Sequence, residues 1–200
     1  MPIHRMKTYF LEIDLVAEQI SALYSFGRSY MYYRKINDAS NLIDGPRKSF
    51  WIHTANTHAM MSVVEWCHVL GNDCRSKIHW HNTAPRKGIS EDGEKICNDN
   101  YKSEVRHALR LPYNWSNKEL RKYVESVIRF RNKYTAHRDV GNFCPLPHLD
   151  KAYIIANAYL SWVINEIPWD SEPQQTLLEM QSVFESEVIN EINMLSQGSE

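Results

Sequence analysis

The sequence predicts an all-α protein, an up-down helical bundle with a four-helix core plus extra helices. Three observations lead there. Apolar residues recur at spacings of three and four along most of the chain, and sustained two-residue alternation is absent. Glycine and proline number only 7 and 8 in 200 residues, so turn-rich stretches are scarce. Hydrophobic residues make up 43% and charged residues 24%, the balance of a globular domain large enough to bury a sizeable core.

Taken in order, the pattern predicts a first long helix from about Phe10 to Arg34, with Leu11, Leu15, Leu23, Phe26 and Tyr30 facing inward. A loop over Asn37 to Lys48 follows, containing Asp44-Gly45-Pro46. The second helix covers about Phe50 to Leu70, with Trp51, Ala55, His58, Val64, Cys67 and Leu70 on one stripe and Gly71 as its stop. Residues 71–93 read as the longest polar loop, and a shorter helix follows from Glu94 to Leu109. Ser116-Asn117-Lys118-Glu119 has the form of a capping box, which starts the next helix. Gly141, Pro145 and Pro147 break the chain after it. Another helix spans about His148 to Ile167, and the last runs from Thr176 to Leu195 with Leu177, Met180, Phe184, Val188, Ile192 and Leu195 in register. Residues 1–170 form the expected bundle, and 171–200 an acidic helix packed on it or extending it.

Charge divides the chain after Lys151. Residues 152–200 carry eight acidic groups and neither Lys nor Arg, whereas residues 1–151 hold 23 basic against 16 acidic groups. A basic body with an acidic end suits contact with a polyanion. The N-terminus has no basic cap followed by an apolar run, and the most apolar stretch, Ala152 to Ile164, is too short for the roughly 20 residues that cross a bilayer. The expectation is a cytoplasmic protein without a membrane partner. The cysteines Cys67, Cys74, Cys97 and Cys144 form no CxxC pair, so neither a disulfide framework nor a zinc ribbon is indicated.

The chemistry concentrates in Arg129-Phe130-Arg131-Asn132-Lys133-Tyr134-Thr135-Ala136-His137-Arg138-Asp139. The inward stripe of the capped helix reads Leu120, Tyr123, Val124, Val127, Ile128, and the next steps reach Arg131 and Tyr134. A guanidinium on a core stripe must reach water, a carboxylate or a phosphate. A purely structural arginine at this place would snorkel out at the helix end or pair with Glu65 or Asp139. His137 lies about 120° from Arg131 on an ideal helix, so the two converge only if the helix frays or two copies face each other. Lys118 to Arg138 contains seven basic and two acidic residues, a local polycation suited to polyphosphate.

Arg131-Asn132-x4-His137 resembles the R-x4-6-H motif of HEPN domains in its R-N-x4-H form, and the wider FRNKYTAHRD looks most like the abortive-infection branch of that superfamily. The resemblance covers roughly residues 8–168. It implies a helical bundle that dimerises and, in many members, a metal-independent endoribonuclease of toxin–antitoxin, phage-defence or antiviral systems. It implies Arg131, Asn132 and His137 as catalytic residues. The surrounding basic residues, Arg129, Lys133, Arg138, Arg121 and Lys122, are candidates for RNA binding. Tyr134 stands inside the motif, with a spacing that does not match the tyrosine modified in some toxins of the superfamily.

The residue types fit such chemistry. RNA supplies its own nucleophile, the 2′-OH. Histidine, with a pKa of about 6.5, accepts or donates a proton near neutrality. Arginine offers a fixed charge and a fork of donors matched to phosphate oxygens. Asparagine can hold the histidine tautomer or the ribose. The expected product is a 2′,3′-cyclic phosphate, with the two His137 side chains of a dimer as base and acid. No cofactor or metal is expected. A partner antitoxin or nucleotidyltransferase is an open expectation. The acidic last helix, if it lay against the basic one, would regulate it.

Competing readings come from other residues. A non-catalytic helical module, docking a partner or a nucleotide through the basic helix, is the alternative. His79-Trp80-His81, near Cys67, His68 and Cys74, matches no standard zinc spacing and reads as a polar loop anchored by its Trp. His53 and His58 are five apart, too far round a helix to pair on a metal. Tyr24, Tyr30, Tyr32 and Tyr33 suit bundle packing more than base stacking. Pro46-Arg47-Lys48 and Pro85-Arg86-Lys87 are basic loop tips. The absence of GxGxxG, P-loop, HExxH and GxSxG patterns argues against dinucleotide, NTPase, zincin and serine-hydrolase activities.

Overall fold

A computed structural model describes residues 13–40, 46–71, 76–83, 98–136, 145–166 and 174–197. They form six α-helices and no strand among the described residues: α1 (Ile13–Ser40), α2 (Pro46–Leu70), α3 (Asn98–Arg110), α4 (Asn117–Arg131), α5 (Leu149–Glu166) and α6 (Leu177–Gln197). A 3₁₀ turn, Leu111–Tyr113, joins α3 to α4, and a π-helical turn, Asn132–Ala136, continues α4. No helix among the described residues is long and apolar enough to cross a membrane. The all-α expectation is met.

The centre of the fold is α1 against α2 and α5. Tyr32 of α1 stacks on His58 of α2, while Gln19 bonds the Ile78 carbonyl beyond the end of α2, so the two helices run antiparallel. α5 is likewise antiparallel to α1, since Tyr30 bonds Asp150 and Gln19 meets Tyr159. The buried stripe of α1 is Val16, Ile20, Leu23, Phe26, Tyr30 and Met31, with Ile36 also buried. Trp66 of α2 is fully buried and donates its indole N–H to the Ala152 carbonyl of α5 at 3.0 Å.

Several boundaries differ from the sequence reading. α1 continues past Arg34 to Ser40, and α2 begins at Pro46 rather than Phe50. Proline suits a first helical turn, where its missing N–H has no partner to lose. The predicted start of α3 at Glu94 lies outside the described residues, and its described part presents Tyr101, Val105 and Leu109 at four-residue spacing. On α2 the core falls on Ala55, Ala59, Ser62, Val63, Trp66, Cys67, Val69 and Leu70. Trp51, His58 and Val64 are only half-buried.

α6 packs on α1 and α5, in the same direction as α1. Leu177, Phe184 and Val188 are buried in the shared core. Gly27 makes room for them: a Cβ there would stand 3.0 Å from Leu177 and 3.1 Å from Phe184. Thr176 and Glu179 form a second capping box, with the Glu179 carboxylate accepting from the Thr176 N–H at 2.7 Å. The acidic residues of α6 meet α1. Arg28 pairs with Glu187 at 3.2 Å, Lys35 with Glu185 at 3.3 Å, and the Tyr32 hydroxyl bonds Glu191. α6 makes no helix contact with α4 among the described residues, so the expected masking of the basic helix is replaced by docking on α1.

Candidate functional site

α4 positions the arginine of the motif, and its start is firmly set. The Ser116 hydroxyl accepts from the Glu119 N–H at 3.3 Å, and the Glu119 carboxylate accepts from the Ser116 N–H at 2.7 Å. The Ser116 N–H, and the Ser116 hydroxyl at 2.7 Å, both donate to the Glu119 carboxylate and lower its pKa by favouring the charged form. Leu120, Val127 and Phe130 are buried. Tyr123 packs edge-on to Trp66 and donates its hydroxyl to the His148 carbonyl at 2.8 Å, which ties α4 to α2 and to the start of α5.

At the C-terminal end the core position belongs to Phe130, which is 7% exposed, and not to Arg131. The stripe advances three residues from Val127 instead of four. The backbone then widens into the π-helical turn, and Tyr134 comes to lie on Phe130 with ring centroids 4.7 Å apart. Single π turns of this kind shift the phase of a helix and re-aim the residues that follow. Arg131 is left half-buried at the edge of the stripe. Its Nε and Nη2 both donate to the Asn132 Oδ1, at 3.1 and 3.0 Å. The Asn132 N–H is itself shared between the Ile128 and Arg129 carbonyls. The guanidinium is therefore held by its neighbour's side chain at a helix end.

The other expected residues fall as follows. Arg121, Lys122 and Arg129 are exposed on α4, and Arg121 Nε bonds Glu125 Oε1 at 2.8 Å. Lys133 and Tyr134 are half-buried in the π turn. His137, Arg138 and Asp139 lie outside the described residues. Arg131, Asn132 and Lys133 thus share one helix end, while Arg121 and Lys122 stand near the other.

Near that first turn lies a cleft of about 530 Å³, which the sequence reading missed. Its lining includes His79, Trp80 and His81 from the 76–83 loop, Arg106 and Leu109 from α3, and Asn117, Leu120, Arg121, Val124 and Glu125 from α4. The HWH triplet was the visible signal, read there only as a metal question and a polar loop. His79 is a latch. Its Nε2 meets the Gly71 carbonyl, and its Nδ1 accepts from the His81 N–H at 3.2 Å. Trp80 is almost fully buried, with the Arg106 guanidinium 6.0 Å over its ring. His81 lines the cleft, and its pKa is lowered to about 4, by burial first and then by His79, Lys102 and Arg106. No three His, Cys, Asp or Glu side chains gather as a metal site among the described residues.

The tyrosine cluster of α1 serves packing. Tyr24 donates to the Gln175 carbonyl at 2.6 Å, Tyr30 is buried beside Tyr153, and Tyr32 is occupied by His58 and Glu191. Of the basic tips, Lys48 is exposed in the first turn of α2, and Pro85-Arg86-Lys87 lies outside the described residues. No protein-family model matches the chain, and no curated protein or solved structure matches it.

Proposed function

We propose that the protein is a metal-independent endoribonuclease of the toxin or phage-defence type, which cleaves RNA by 2′-OH attack at a site composed by two copies of the chain. One observation carries the reading. Arg131 is the last residue of the basic helix, half-buried and braced by two hydrogen bonds to Asn132, and the π turn Asn132–Ala136 follows it. A braced, partly desolvated guanidinium is suited to the charge that develops on a phosphorane. The R-N-x4-H resemblance assigns His137 as the proton-transfer group, and Arg129, Lys133, Arg138, Arg121 and Lys122 as contacts to the strand.

The test is a pair of substitutions. His137→Ala and Arg131→Lys are purified with the wild type and compared for RNA cleavage, helical content and size in solution. The lysine keeps the charge and loses the planar fork. Both variants are expected to remain folded dimers and to lose activity by a factor on the order of 10² or more. Unchanged cleavage in His137→Ala, or a wild-type chain that stays monomeric at every concentration while cleaving, would overturn the reading.

A further inference from the structure

The cleft beside the first turn of α4 is a second electropositive feature, and it lines up with the motif. At 100° per residue, Leu120, Arg121, Val124, Ile128 and Arg131 all lie within about 60° of the direction of Asn117. The face of α4 that walls the cleft is therefore the face that carries Arg131. Ten residues separate Arg121 from Arg131, about 15 Å along the axis at 1.5 Å each. At roughly 3.4 Å per stacked nucleotide, that is about four nucleotides of one strand.

The lining suits a phosphate. Arg106 of α3 and Arg121 of α4 both line the cleft, together with Asn117 in the N-terminal turn of α4. Glu125 is the only acid among the described lining residues, and Arg121 holds it. The floor is rigid, because Trp80 is buried and His79 is latched to Gly71. Burial first, and then His79, Lys102 and Arg106, lower the proton affinity of His81. Such a volume falls within the about 300–1,000 Å³ of small-molecule sites.

We propose that this cleft holds a backbone phosphate of the RNA strand, about four nucleotides from the one at Arg131. The identity of the strand rests on the ribonuclease reading; the cleft's affinity for it does not. The full chain carrying His137→Ala binds a fluorescent eight-nucleotide single-stranded RNA, with and without Arg106→Ala and Arg121→Ala together. Both arginines are exposed, and helical content checks that the fold is kept. The added pair of substitutions is expected to weaken binding at least tenfold and to flatten the dependence of log affinity on log salt by about 0.7, the loss of one neutralised phosphate of a single strand. The advantage of eight nucleotides over three should shrink with it. In the His137→Ala parent, RNA should also raise the midpoint of the His81 ring titration.

Equal affinity in the two proteins overturns the proposal, whether or not the wild type cleaves RNA. A polyglutamate peptide that loses affinity in the doubly substituted chain while RNA does not would overturn it too, and would assign the cleft to an acidic protein. Lost RNA binding together with a wild type that never cleaves supports the cleft and refutes the ribonuclease reading alone.

Discussion

Gln19 offers a sharp test of how the fold holds the cleft. It is 0% exposed on α1. Its Nε2 donates to the Ile78 carbonyl at 2.9 Å and to the Thr83 hydroxyl at 3.2 Å, and its Oε1 accepts from the Tyr159 hydroxyl at 2.6 Å. Thr83 in turn bonds the Trp80 carbonyl at 2.9 Å and the Tyr101 hydroxyl at 3.0 Å. One amide thus ties the 76–83 loop to α1 and α5. Gln19→Met keeps length and volume and removes the polarity. It leaves the Ile78 carbonyl and the Tyr159 hydroxyl short of partners. Each buried orphan costs about 1–3 kcal/mol. The Thr83 and Tyr101 hydroxyls can take part of the load, so about 3 kcal/mol in total is expected. Urea denaturation followed by circular dichroism measures it. Tyr159→Phe added to Gln19→Met should recover about 1 kcal/mol, because it removes one of the orphans. A loss below about 1 kcal/mol for Gln19→Met, with no recovery in the double variant, would refute the account of this network.

Two further outcomes follow from the geometry. Phe184→Ala empties a fully buried site between α6 and α1, and is expected to cost about 3–5 kcal/mol. Removing residues 171–200 should likewise destabilise the chain rather than activate it, and a shortened protein of unchanged melting temperature and raised activity would contradict the docking of α6 on α1. His81 should stay neutral in the folded protein down to about pH 4. Between about 6.5 and that value only the unfolded chain takes up the proton, so stability falls as pH falls through this window, by about 1 kcal/mol once solvent screening is allowed for. Ring proton shifts in a pH series report it, and a midpoint above 6 would refute it.

The parts of this fold that were legible in the sequence are those written in local spacing. The Ser116–Glu119 box gave the start of α4, and the stripe of Leu177, Phe184 and Val188 gave the buried face of α6. What local spacing does not hold was missed. A 3.6-residue period allows a step of three or of four from Val127, and packing rather than the period decides that Phe130 and not Arg131 is buried. The Gln19 network joins residues up to 140 apart in the chain, and no pattern along one helix reports it. The cleft is made by a loop and two helices, and only its HWH triplet stood out. The docking of α6 on α1 rests on Gly27, which leaves room for Leu177 and Phe184, and a lone glycine inside a helical pattern does not announce that contact.

The most direct measurement of the central claim is the chemistry of the ends left on RNA. Purified wild-type protein, in excess chelator, is incubated with a labelled single-stranded RNA, and the fragments are resolved by mass. Attack by the 2′-OH predicts 5′ fragments that end in a 2′,3′-cyclic phosphate and 3′ fragments that begin with a 5′-hydroxyl. Intact RNA, or fragments bearing 3′-hydroxyl and 5′-phosphate ends, would contradict it.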